Sequence, residues 1–353
     1  MLLLRPDHIG DLLLTAPAIA SLRASFPDAA LTYLVGPWSA EVARRGPPVA
    51  VQTLQFPGFS RQPGNKHLLA PYALLARTAV RLRRQHYDVA LVLRPDHWWG
   101  ALLALAARVP VRVGFDLPET RPLLTHALPL DGRLHAAEQA LALARHVAQL
   151  HGRSFVATPE STFRVCEADH AAAARLLADH GLGRRRLVAV QPSAGAALKS
   201  WPVARWAALT DRLCAAGLDV LLVGGPDDAR LLASIRALQA QPTPAAAGQP
   251  LGVSAAVYAR CSLVIGPDGG GPHVAAAMGT PTLRLYGPAS AALYGPWPPR
   301  HDQRVLIARG LACVPCGHLE KPPCGAVSLP ACMLAVGVED VLAATTRLLT
   351  SSL

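Results

Sequence analysis

Residues 261–288, CSLVIGPDGGGPHVAAAMGTPTLRLYGP, constrain the fold more than any other stretch of this chain. Leu263–Ile265 reads as a buried strand. Gly266–Pro272 follows as a turn that neither a helix nor a strand is expected to hold. His273–Met278 reads as a helix, with Pro272 suited to its first turn. Gly279-Thr280-Pro281 stops it, and Thr282–Tyr286 is the next buried strand. Strand, glycine turn, short helix and strand form the repeating unit of a parallel α/β sheet. The free N–H groups at such a helix start, beside glycines that let the backbone approach closely, favour phosphate. The glycines fit neither G-x-G-x-x-G nor G-x-x-x-x-G-K-[ST], so an ordinary dinucleotide fingerprint or P-loop is not indicated. A plain strand-to-helix loop needs neither Asp268 nor His273, and both flank these glycines.

The chain has 353 residues, 51% of them hydrophobic and 16% charged, which predicts a large core and two domains. Its net charge is +11. Residues 1–165 hold 18 Arg and Lys against 11 Asp and Glu, and residues 166–353 hold 16 against 12, so the first half carries most of the excess. That balance fits an anionic partner such as an acidic membrane surface or a phosphorylated glycan. An Arg-rich composition with no partner is the alternative. Nucleic acid is the weakest option, because aromatics are sparse and no basic run exceeds Arg184–Arg186. Met1–Arg5 is too short for a signal-peptide core, and no uncharged apolar stretch reaches the roughly 18 residues of a membrane span. The expected location is the cytoplasm, with peripheral contact to a membrane left open.

In order, residues 1–4 read as a strand, Arg5–Asp11 as a loop and Leu12–Ser25 as a helix. Ala30–Val35 reads as a second strand. Residues 46–72 read as a surface loop with a short strand near Val49–Leu54, and Leu74–Arg84 as a helix. Asp88–Leu93 is an expected strand, Arg94–Gly100 a second strand-end loop, Ala101–Ala107 a helix and Val111–Phe115 a strand. Arg133–Leu150 reads as a long helix. A second α/β set begins at Leu187–Val190. The pattern predicts domains at 1–165 and 166–337, with a helix in 338–353 free to pack back on the first. Ligands of open α/β sheets bind beyond the strand C-termini, so a ligand is expected in a cleft between the two sets.

Several residues could carry chemistry. Asp11 is either a helix cap or a general base whose partial desolvation raises its pKa. His8 could tune it or touch ligand. Only Lys66, Lys199 and Lys321 are lysines, against 31 arginines. A lysine just before a helix start, where arginine is the default cation, suggests a compact ammonium aimed at phosphate, which singles out Lys199. Asp227 and Asp228 are either helix caps or contacts to ribose hydroxyls. Cys313-x2-Cys316-x7-Cys324-x7-Cys332 could hold a structural metal. The first pair has zinc or iron–sulfur spacing and the second is wider. A disulfide frame would need an oxidising compartment that nothing indicates.

These residues resemble a known family. Arg5-x3-Ile9-Gly10-Asp11-x5-Pro17 looks like the start of glycosyltransferase family 9, the ADP-heptose:lipopolysaccharide heptosyltransferases. Gly266-x-Asp268-x-Gly270-x2-His273-x2-Ala276-Ala277-x-Gly279-x-Pro281 with Tyr286-Gly287-Pro288 is similar to its second signature. Lys199-x-Trp201-Pro202, His135-x2-Glu138 and Arg112-x-Gly114-Phe115 also fit. The resemblance implies an α/β GT-B fold, two Rossmann-like domains with parallel sheets facing a central cleft. It implies an inverting, metal-independent transfer with no cofactor required for catalysis. By position, Asp11 would deprotonate the acceptor hydroxyl. Gly10, Lys199, Asp268, Gly269, Gly270, Gly271 and His273 would line the donor and its diphosphate. On the acceptor side, His8, Arg94, Asp96 and His97 are candidates. The family also includes members with a metal on C-terminal cysteines, zinc or iron being the candidates here. The sequence departs from the family at Asp7-His8, where serines are common, and at Gly269, where threonine is common.

The expected activity is transfer of a sugar, heptose from ADP-heptose, onto an anionic cell-envelope glycan or glycolipid such as lipopolysaccharide core, without nucleic acid. A sugar-nucleotide epimerase on the same fold and a non-catalytic binding protein are the alternatives.

Overall fold

The computed structural model describes residues 1–59, 69–159, 161–308 and 310–351. Lys66 and part of the expected 46–72 loop lie outside them. The chain divides into two compact units, Met1–Thr162 and Phe163–Leu353.

The first unit runs β1 (Leu2–Arg5), α1 (Ile9–Ser25), β2 (Thr32–Val35), α2 (Ala40–Arg45), β3 (Ala50–Thr53), α3 (Ala70–Arg83), β4 (Val89–Val92), α4 (Trp98–Ala106), β5 (Val111–Phe115), β6 (His126–Leu128) and α5 (Ala136–Leu150). Its six strands lie in the order β3-β2-β1-β4-β5-β6, and every pairing is parallel. Leu2, Leu3 and Leu4 are wholly buried, as expected of a central parallel strand covered on both faces. Helix α5 opens on a capping box. His135 Nδ1 accepts from the Ala137 N–H at 3.2 Å, and Glu138 Oε2 accepts from the His135 N–H at 3.2 Å. The His135-x2-Glu138 pattern thus has a local structural cause.

The second unit runs α6 (Glu167–Asp179), β7 (Leu187–Val190), α7 (Val203–Ala215), β8 (Asp219–Gly224), α8 (Ala229–Ala237), β9 (Ala245–Ala247), α9 (Leu251–Tyr258), β10 (Leu263–Pro267), α10 (Gly270–Ala277), β11 (Thr282–Tyr286), α11 (Ala291–Tyr294), β12 (Gln303–Ile307), α12 (Ala331–Leu334) and α13 (Val338–Ser351). The sheet order is β12-β11-β10-β7-β8-β9, again all parallel. The last helix was free on sequence grounds to return to the first domain. Its Val341, Ala344 and Leu348 instead join the core of the second unit, and Arg186 donates to Leu349 O at 2.8 Å.

Each unit repeats one doubly wound topology. The strand order reverses beside β1 in the first, where β1 pairs with both β2 and β4, and beside β7 in the second, where β7 pairs with both β8 and β10. Ligand sites of such sheets lie beyond the strand C-termini at that reversal. The expected loops there are shorter than the sequence suggests. Helix α1 begins at Ile9, so Gly10 and Asp11 sit in its first turn. Helix α4 begins at Trp98, and α10 at Gly270 directly after the two-residue turn Asp268-Gly269. The glycines and Asp11 read as turn formers, yet they occupy a first helical turn, where N–H groups have no intrahelical partner and glycine costs least. Three edge strands, β6, β9 and β12, carry little strand signal. One is three alanines, and the others mix polar and apolar residues.

Candidate functional site

In the first unit the strand-end loops of β1 and β4 place a charged cluster at the reversal. Asp7 is buried. Its Oδ2 lies 2.7 Å from Arg5 Nε, and its Oδ1 accepts from Arg94. Arg94 also forms a fork with Asp96, at 2.6 and 3.0 Å. Arg5 donates to Leu93 O and reaches Asp11 Oδ1 only at 3.8 Å. Trp38 Nε1 donates to Pro6 O and Asp7 O, both at 3.1 Å, which pins the β1 loop.

Asp11 is therefore the carboxyl left over. Its side chain keeps 34% of its surface open to solvent, and its nearest cation is committed to Asp7. Desolvation and then the charge of Asp7 raise its pKa to about 6, with Arg5, Arg94 and a backbone hydrogen bond at His8 opposing. A carboxyl that is solvent-reachable and titrates near neutrality suits proton abstraction. The N-cap of α1 is His8, without a side-chain cap bond, and Asp11 at the third helical position accepts from the His8 N–H, so it takes part in the helix start as the cap reading expected.

Of the acceptor candidates, His8 and Arg94 are partly exposed, and the Asp96 side chain is half-exposed. His97 is not available to a ligand. It is 3% exposed, with its ring 5.2 Å from that of Phe56 and 5.5 Å from that of Phe59. Neither ring nitrogen has a hydrogen-bond partner, and burial pushes its pKa down to about 4. The expectation placed His97 in a loop, whereas it is the buried N-cap residue of α4, packed as a neutral core ring.

In the second unit the 197–199 turn before α7 brings Lys199 Nζ to 3.1 Å from Asp268 Oδ2. His273 Nε2 stands 3.9 Å from Asp268 Oδ1. Burial opposes ionisation of Asp268, but the adjacent His273 and then Lys199 outweigh it and hold the carboxyl well below the usual range. Helix α10 starts after Gly269 with no side-chain cap, and Pro272 in its first turn lacks an N–H that would have no intrahelical partner anyway. The uncapped N–H groups of Gly270 and Gly271 thus sit beside an ammonium and a buried carboxylate. Gly269 and Gly270 are partly exposed, whereas Gly271 is buried. A Cβ at Gly271 would lie 1.3 Å from Gln191 Oε1, and Gln191 Oε1 accepts from Tyr258 OH at 2.8 Å. Close packing against that carboxamide therefore explains Gly271, which was expected to face the donor.

Asp228 is a bracing residue. Its Oδ2 accepts from Ser193 Oγ and from the Gly225 N–H, each at 2.6 Å, which ties the strand-end loops of β7 and β8 together. Asp227 is exposed. Trp201 packs at right angles on Trp206, 4.7 Å between ring centres, and its Nε1 donates to Val336 O at 2.9 Å.

Arg284 escaped the sequence reading. It is wholly buried on β11. Its NH2 donates to Pro272 O at 3.0 Å and its Nε to Thr282 Oγ1 at 3.2 Å. Its NH1 lies 3.2 Å from His273 Nδ1 and 3.4 Å from Nε2. A guanidinium only donates, so the imidazole facing it must offer a lone pair and stay neutral. Burial, then the charge of Arg284, lower the His273 pKa to about 4. The available signal was a charge inside an otherwise apolar strand run.

Among the four C-terminal cysteines, the candidate metal ligands, burial and then the charges of nearby Cys316 and Cys313 raise the pKa of Cys332. Cys332 is buried, Cys316 is intermediate, and Cys313 and Cys324 are exposed. Among the described residues no group of three or more His, Cys, Asp or Glu is placed to hold a metal ion.

Known proteins share this fold. A glycosyltransferase family 9 structure from Veillonella parvula matches with a TM-score of 0.78 and 22% identity, covering 99% of this chain and 97% of that one. The E. coli ADP-heptose lps heptosyltransferase II structure matches with a TM-score of 0.75 and 23% identity over 99% and 98% of the two chains. The fold is GT-B, two Rossmann-like units. In sequence, the E. coli lipopolysaccharide heptosyltransferase 3 is 29% identical over 305 residues, 82% of this chain and 83% of its own. The family model for glycosyltransferase family 9 (heptosyltransferase) matches residues 75–322, and the chain belongs to that family.

Proposed function

We propose that this protein moves heptose from ADP-heptose onto lipopolysaccharide core, with inversion at the anomeric carbon. The Asp11 carboxylate takes the proton of the acceptor hydroxyl as the oxygen attacks that carbon. The bond to the diphosphate breaks, and ADP leaves carrying the displaced electron pair. A single displacement inverts the centre. Lys199 and the uncapped start of α10 meet the charge that grows on the diphosphate, as fixed donors do where a leaving group turns anionic. Asp268 orients Lys199, and neutral His273 fills the space behind it. Arg94 and Asp96, both open to solvent at the end of β4, receive the anionic, hydroxyl-rich acceptor. The acceptor is membrane-borne, so the protein works against the cytoplasmic face of a membrane as a peripheral enzyme.

The carrying observation is Asp11, a solvent-reachable carboxyl raised to about 6 at the strand reversal of the first sheet. Purified protein incubated with ADP-heptose and heptose-deficient core acceptor is expected to yield a product heavier by one heptose, read by mass spectrometry. ADP-heptose consumed at the same rate without acceptor would point to an epimerase. Intact donor and unmodified acceptor would refute the transfer.

A further inference from the structure

We propose that the exposed face of α3 is the surface by which this protein docks on an anionic lipid membrane. The inference rests on the reading of a membrane-borne acceptor, and the test below separates the two.

The charge of the first half has a single source. Residues 42–87 hold eight cations, Arg44, Arg45, Arg61, Lys66, Arg77, Arg81, Arg83 and Arg84, and no acid. The rest of residues 1–165 holds 10 cations against 11 acids. Four of the eight cations fall on α3 or at its C-terminal cap. Arg61 and Lys66 lie outside the described residues, and Arg45 is paired with Glu41.

The packing of α3 leaves that charge outward. Thr78, Ala79 and Leu82 are buried, and Leu74 and Leu75 pack against the same core. The opposite face shows two adjacent stripes at helical spacing. Tyr72, Ala76 and Val80 form an apolar stripe, and Arg77, Arg81 and Arg84 a basic one. Tyr72 and Val80 are each 56% exposed, and Leu69, just before the helix, is 65% exposed. Among the described residues, Arg77, Arg81, Arg83 and Arg84 have no acidic partner.

An apolar stripe flanked by arginines fits the boundary between acyl chains and acidic headgroups. The rings and branched side chains enter the boundary, while arginine stems lie along it with their heads at the phosphates. A protein partner with an acidic surface would offer the charge without the slab of hydrocarbon that Tyr72 and Val80 call for.

The test is co-sedimentation with phosphatidylcholine vesicles, with and without phosphatidylglycerol. Native protein is compared with an Arg77→Gln/Arg81→Gln/Arg84→Gln variant and a Tyr72→Ser/Val80→Ser variant. All of these positions are exposed and outside the transfer machinery, and circular dichroism checks that each variant is folded. Native protein should bind only the anionic vesicles, less so at high salt. Each arginine contributes about fivefold in partitioning, so the triple variant should bind about a hundredfold more weakly. The double variant should also bind more weakly. Equal binding to both vesicle types, no binding at all, or native-like binding by the triple variant would overturn the proposal. So would loss of transfer to a soluble core fragment in the triple variant, because that would assign the arginines to the glycan. If native protein binds anionic vesicles as described but transfers nothing, the docking surface stands and the proposed transfer fails.

Discussion

The two sheets have the same strand order and carry opposite electrostatic designs at the two kinds of strand that flank the reversal, β1 in the first and β10, the counterpart of β4, in the second. Beyond β1, Asp11 keeps a third of its side-chain surface wet and yet titrates near 6. Beyond β10, Asp268 is far more buried and yet stays ionised well below the ordinary range. Burial raises both carboxyls, and at Asp11 it is the largest cause. The neighbours differ: the charge of Asp7 adds to burial at Asp11, whereas His273 and then Lys199 outweigh it at Asp268. Lys199 stands 3.1 Å from Asp268, whereas Arg5 serves Asp7 at 2.7 Å and Asp11 only at 3.8 Å. Topology supplies the position, and the neighbours of each carboxyl leave one titrating near neutrality and hold the other ionised.

Breaking the first half of that contrast should have the largest effect. Asp11→Asn should lower kcat by about 10²–10⁴, the usual contribution of a general base. ADP affinity, measured by calorimetry, should stay within error of native. Breaking the second half should do the converse. Lys199→Met removes a charge-assisted contact and should weaken ADP binding about ten- to a hundredfold. Arg284→Met sharpens the comparison by testing whether a buried cation behind the anchor matters. His273 should then titrate higher, towards the ordinary histidine value, because the charge of Arg284 is the second cause of its depression. Imidazole NMR signals followed against pH would show the rise, and an unmoved midpoint would remove Arg284 from the account. Smallest is His135→Ala, which opens the capping box of α5. It should cost about 1 kcal/mol in chemical unfolding and leave turnover unchanged.

Much of this was legible in the sequence. The strands Leu2–Arg5, Leu187–Val190 and Val111–Phe115 are apolar runs between turn signals, and their alternation with helices leaves a parallel α/β architecture as the natural outcome. Asp11, Lys199 and Asp268 were visible because their residue types sit oddly for plain loops. The helix starts at Ile9, Trp98 and Gly270 were not visible, since glycine and aspartate are favoured both in turns and in an uncapped first helical turn. Gly271 looked like a phosphate glycine because sequence cannot show that Gln191 fills the space beside it. His97 looked like a ligand in a charged loop, and only the rings of Phe56 and Phe59 reveal a core residue. Arg284 was hidden because its three partners come from a neighbouring helix start and its own strand, a match that no spacing rule encodes.

The acid limb of the pH–rate profile tests the central claim most directly. Asp11 must be ionised to accept a proton, so its folded pKa sets where activity disappears. The kcat/KM for the acceptor, which reports the free protein's groups, should be flat near neutrality and fall tenfold per pH unit below about 6. The residual activity of Asp11→Asn should lack that limb. A native profile that stays flat well below pH 6, or a limb that persists unchanged in Asp11→Asn, would contradict the assignment of Asp11 as the base.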